Sequence, residues 1–145
     1  MPVIRKGPGF GAIERRIAEL GQIQIAIGIP AEASANVQAS GTLVSAAGVG
    51  YLHETGAPEI NLPPDFHLRR AIEGAHPEVA GHMVEAARRA VLGDAAGAEA
   101  EAHQASECVI RAVKAKIAEG QPLNSPGLPD LKSISDAYTF EIRHK

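Results

Sequence analysis

The sequence predicts an α+β domain in which a small antiparallel sheet is packed on one face by several helices, including one long C-terminal helix. Three observations carry this expectation. Ile23, Ile25, Ile27 and Ile29 alternate with Gln22, Gln24, Ala26 and Gly28, the period-two pattern of a strand with one apolar face. Near the other end Tyr138, Phe140 and Ile142 alternate with Thr139, Glu141 and Arg143, which predicts a second strand. Between them Ala98, Ala102, Ala105, Val109, Ala112, Val113 and Ile117 keep a three-and-four spacing, the mark of a helix over 94–119. The simplest sheet pairs 22–29 with the C-terminal strand. A two-stranded ribbon is marginal by itself, so a third strand or a subunit partner is expected.

Length and composition fit one domain. The chain has 145 residues, enough to bury a core and too few for two comfortable domains. A hydrophobic content of 45% with 21% charged residues lies in the globular range. The net charge of −3, with no long run of Lys and Arg, gives no electrostatic footprint for wrapping nucleic acid. Three Phe, two Tyr and no Trp leave the core to Ala, Ile, Leu and Val, whose small buried areas make assembly with other chains attractive. The single cysteine, Cys108, excludes an internal disulfide framework and fits a reducing cytoplasm. No basic-plus-apolar leader and no 18-residue apolar run are seen, so neither a signal peptide nor a membrane span is expected.

The remaining elements follow in order. Residues 1–9, with Pro2, Gly7, Pro8 and Gly9, read as a loose arm. Ile13, Ile17 and Leu20 define one face of an amphipathic helix over 10–20, closed by Gly21. Pro30 stops the isoleucine strand, and 30–41 reads as a long loop of small polar residues. A helix over 42–54 follows, with Val44, Ala47 and Tyr51 on one side; a strand through 43–45 is the alternative. Asp65 is placed to cap a short helix carrying Leu68, Ala71 and Ile72, which Gly74 and Pro77 break. Pro77 then opens another helix to Leu92, with Val79, Met83, Ala86, Ala87, Ala90 and Val91 as its buried stripe. The three prolines and one glycine of 121–130 make a loop.

The stretch 50–66 organises the chain. It reads as a helix end, a glycine stop at Gly56, and a turn punctuated by Pro58, Pro63 and Pro64 that delivers Phe66 into a new helix. If Phe66 is the aromatic anchor of that corner, Phe66→Ala costs about 3–5 kcal/mol.

Catalytic signatures are lacking. No CxxC or HExxH pattern occurs, and His103 and Cys108, five apart on one helix, point to different faces, so no metal or cofactor site is expected. Cys108 beside Val109 and Ile110 reads as a small core residue. Gly7-Pro8-Gly9-Phe10-Gly11 lacks both the preceding strand and the lysine of a phosphate loop. Glu54 and Asp65 flank the corner without any sequence sign that they converge. An alternative reading, a small cytoplasmic enzyme or ligand-binding domain, would draw on Glu54, Asp65 and His53 or His67; a closed pocket gathering them would favour it.

The corner resembles the helix–glycine–proline–Phe segment of small phage neck and tail-completion proteins, the virion-morphogenesis group. The matching residues are His53-Glu54-Thr55-Gly56 and Pro63-Pro64-Asp65-Phe66. Thr55 stands where that family has an aromatic, and Asp65-Phe66 replaces its Pro-Phe. The likeness runs over about 22–143 as an order of motifs: Ile25-Ala26-Ile27-Gly28-Ile29, Leu92-Gly93, Gln121-Pro122-Leu123, Leu131-Lys132-Ser133-Ile134 and the strand ending at Ile142. It implies a structural virion protein, not an enzyme, that completes the tail or joins it to the head. Such a subunit is made in the host cytoplasm and sits in a ring of about six copies between connector and tail tube. Its partners would be copies of itself, adaptor or stopper proteins and the tail tube, with no membrane, and with a DNA contact at Arg143, His144 and Lys145 as an option. Tyr51, Glu54, Gly56, Pro63, Pro64 and Phe66 would serve assembly at the corner, and Ile23, Ile25, Ile27, Ile29, Tyr138, Phe140 and Ile142 would serve it in the sheet.

Overall fold

The computed structural model describes residues 9–33, 36–39, 42–120 and 128–145. Most of the expected N-terminal arm and of the 121–130 loop lies outside them. The described elements are α1 (Phe10–Leu20), β1 (Ile23–Gly28), β2 (Asn36–Ala39), β3 (Thr42–Ser45), α2 (Ala46–Thr55), α3 (His67–Val91), α4 (Ala95–Glu119) and β4 (Thr139–His144). The architecture is the expected mixture of helices and antiparallel strands.

β1 and β4 pair as the alternation predicts, in antiparallel register with Ile25 opposite Ile142 and Ile27 opposite Phe140. Period-two side chains put these four on the same face, and each is half-buried. α4 covers that face, with His103 meeting Phe140 edge-on at 5.2 Å between ring centroids. No third strand joins the ribbon among the described residues, because β2 and β3 form a separate two-stranded sheet.

That hairpin corrects two expectations. The loop assigned to 30–41 contains a 3-10 turn, Ala31–Ala33, and strand β2. The helix expected from 42 starts only at Ala46, and the alternative strand reading of 43–45 is the one observed. Ser45 explains the boundary: its Oγ accepts from Gly48 N–H at 3.0 Å, a hydroxyl cap that satisfies a donor of the first helical turn.

A third correction concerns α3. Gly74 and Pro77 do not split it, and one 25-residue helix runs through both. Proline removes a backbone bond and costs about 3 kcal/mol in a helix interior. Here the cost is offset by burial along the whole helix, where Ala71, Ala75, Ala86 and Ala90 close against α4. On α4 the expected stripe is buried at Ala98, Ala102, Ala105, Val109, Val113 and Ile117, while Ala112 is half-buried. Cys108 is buried there as a core residue. α1 departs from expectation by standing largely in solvent, with Phe10 78% exposed and Ile17 exposed too; only Leu20 packs onto the cluster Ala86, Ala90 and Ala98. Arg16 ties α1 down by donating to Val91 O at 3.0 Å.

Candidate functional site: a polar clamp at the corner

The corner is built from backbone upward. Gly56 ends α2 at φ +78°, and its N–H donates to Leu52 O at 2.8 Å. A Cβ at this position would lie 2.8 Å from Pro64 N, so the residue must be glycine both for its conformation and for its space. Ala57 and Leu62 then exchange backbone hydrogen bonds of 2.8 and 3.0 Å around the 3-10 turn Pro58–Ile60. Asp65 N–H donates to His53 O at 2.8 Å, which brings the chain back onto α2. Pro63 and Pro64 are exposed along this return.

Two expected roles change hands here. Asp65 does not cap α3; Glu54 does, its Oε2 accepting from Leu68 N–H at 2.8 Å and its Oε1 from Arg69 N–H at 3.1 Å. A carboxylate at a helix N-terminus is favoured by the orphan donors and by the dipole. Phe66 is not the anchor either. It is half-buried in the left-handed conformation, φ +52°, with the Arg69 guanidinium 5.1 Å from its ring. Buried at the corner are His53, Ala57, Leu62 at 3% exposure, and His67 at 2%. Tyr51, expected on one side with Val44 and Ala47, is 67% exposed, whereas those two are half-buried.

His67 and Tyr138 form the centre. His67 Nε2 lies 2.6 Å from the Tyr138 hydroxyl, and Nδ1 lies 3.1 Å from Glu54 Oε2. The rings meet edge-on at 5.7 Å. Burial holds the His67 pKa below its usual 6.5, with Glu54 and Asp65 pulling the other way and His53 adding to the depression. His67 Nε2 and the Tyr138 hydroxyl share the hydrogen bond, while the buried His67 Nδ1 has no hydrogen-bond partner among the described residues. Burial, assisted by the Glu54 charge, pushes the Tyr138 hydroxyl up to about 12. Gly50 makes this possible, since a Cβ there would stand 2.8 Å from the Tyr138 hydroxyl. His53, 1% exposed, donates from Nε2 to Pro129 O at 2.9 Å and fastens the chain beyond α4 to α2.

Beside the clamp is an open groove of about 200 Å³ lined in part by Ile29, Tyr51, Glu54, His67, Leu68 and Tyr138. Sequence reasoning names Glu54, Gly56 and Tyr138 separately, and the fold brings Glu54 and Tyr138 together through His67. The four isoleucines, Phe140 and Ile142 lie on the ribbon and its immediate end, half-buried. Burial makes the Tyr138 hydroxyl less acidic, and each Glu54 oxygen accepts a backbone N–H of the first turn of α3.

A second constellation escapes sequence reasoning. Glu78 and His82, one turn apart on α3, meet Cys108 of α4, with one ligand atom of each within 4.8 Å of the others. The four-residue spacing of Glu78 and His82 is visible in the chain; the approach of Cys108 is set only by the register of the two helices.

No family model matches the chain, and neither a curated protein nor a solved structure matches it. Among the described residues no helix is long and apolar enough to cross a membrane.

Proposed function

We propose that this chain is a structural, non-enzymatic subunit of the phage neck, a tail-completion or head–tail joining protein that works as one member of a homo-oligomeric ring. The observation that carries the reading is the β1–β4 ribbon. It holds the largest run of aliphatic and aromatic side chains in the sheet, yet it stays two-stranded, so each strand offers one edge without a strand partner among the described residues. Such edges pair readily with another chain, and a ring of copies closes them by symmetry. Exposed Phe10, Ile17, Tyr51, Val84 and Leu92 add apolar surface for neighbours. The corner supports the same reading from the other side, because Glu54 and the His53 carbonyl are spent on fixing the angle between α2 and α3.

The resemblance of 53–66 to the neck family supplies the location, between connector and tail tube in the virion. The test is genetic and visual. A phage or prophage lacking this chain should accumulate filled heads and tails that do not join, restored by supplying the chain in trans. Normal infectious particles in its absence would overturn the proposal.

A further inference from the structure

We propose that Glu78, His82 and Cys108 form a binding site for a divalent transition metal, with Zn²⁺ the best-matched ion, that staples α3 to α4. A thiolate, an imidazole and a carboxylate are the ligand types zinc takes, and the thiolate selects against Mg²⁺ and Ca²⁺. Bonds of about 2.0–2.3 Å in a tetrahedron set ligand atoms about 3.3–3.8 Å apart. The three atoms lie within 4.8 Å of one another, so closure requires a shift of about 1 Å. Glu78 is exposed and supplies most of that movement.

The support around His82 is what a metal site needs. His82 Nδ1 lies 2.8 Å from Glu101 Oε2 on the facing helix. A ring that donates Nδ1–H to a carboxylate keeps its lone pair on Nε2 and is held in orientation, the usual support of a metal-binding histidine. Glu101 is itself held, with Arg89 Nε 3.6 Å from its other oxygen. A cation already visits the site: Arg111 Nη2 donates to Cys108 Sγ at 3.3 Å and lies 3.7 Å from Glu78 Oε1. Arg111 is exposed and swings away when the ion enters. Binding releases the Cys108 thiol proton to solvent, and water completes the fourth position.

Cobalt titration of the full chain tests this. Because Cys108 is the only cysteine, a thiolate-to-cobalt charge-transfer band reports this residue alone. The expected result is that band together with tetrahedral visible absorption, saturating at one ion per chain and bleached by Zn²⁺. Cys108→Ser should abolish the band, His82→Gln and Glu78→Gln should weaken binding at least tenfold, and Glu101→Gln should weaken it about 10–100-fold with the same spectrum. Zn²⁺ should raise the melting temperature of the parent protein and leave that of Cys108→Ser unmoved. No band in the folded parent, saturation at one ion per two chains, or unchanged affinity in both His82→Gln and Glu78→Gln would overturn the site.

Discussion

Along the α3–α4 seam, Ala71, Ala86, Ala102 and Ala105 are wholly enclosed within the chain, whereas Ile25, Ile27, Phe140 and Ile142 on the β1–β4 ribbon are only half covered. Both regions are apolar, and side-chain size separates them. Alanines let two 25-residue helices approach until nothing is left between them. Large side chains on two strands present more surface than one helix can cover. On the proposed ring reading, the difference separates what a single copy of the chain completes from what it would leave to a neighbouring copy.

The largest effect is expected where the helical half depends on polar groups. His67→Ala removes a buried ring and leaves the Tyr138 hydroxyl without its partner, at a cost of about 3–5 kcal/mol read by denaturant unfolding. If the loss were under 1 kcal/mol, the clamp would not hold the corner. Next comes the seam: Ala105→Leu, at a fully enclosed position, should cost about 1–3 kcal/mol by overpacking. A neutral outcome would mean the helices separate freely, and the contrast with the ribbon would fail.

Titration sharpens the same contrast. His67 is neutral in the fold and its pKa is depressed, so the unfolded chain binds more protons as the pH drops. Stability is therefore complete above about 6.5 and falls as the pH decreases toward the lower folded value. At the alkaline end Tyr138 is raised, so stability holds below 10 and falls as the pH climbs toward about 12. Unfolding curves across pH should show both limbs, and His67→Ala should flatten the acidic contribution. The smallest effect belongs to Phe66→Ala, about 1 kcal/mol, since the ring is half-buried and its cation contact is with an exposed Arg69. A loss of 3–5 kcal/mol would restore Phe66 as the anchor.

What could be read from the chain followed from periodicity. The isoleucine alternation, the Phe140–Ile142 alternation and the alanine stripe of α4 each repeat a local rule and appear in the fold, while Tyr138, expected in the same strand, stands just before β4 and turns into the clamp. The fold departs from local rules where those rules rest on a single residue. Pro77 signalled a break that burial along α3 overrides, and Asp65 looked like a cap while Glu54, 14 residues before Leu68, supplies the carboxylate. The clamp itself was illegible because His67 and Tyr138 lie 71 residues apart. Gly50 gains its meaning only from the Tyr138 hydroxyl beside it.

The most direct test of the proposed role is the mass of the purified chain by light scattering after gel filtration, alone and with lysate of the phage or bacterium that makes it. A ring several times the 15.1 kDa chain, or a monomer that moves into a much larger particle, is the predicted result. A 15.1 kDa monomer at every concentration, unmoved by the lysate, would contradict it.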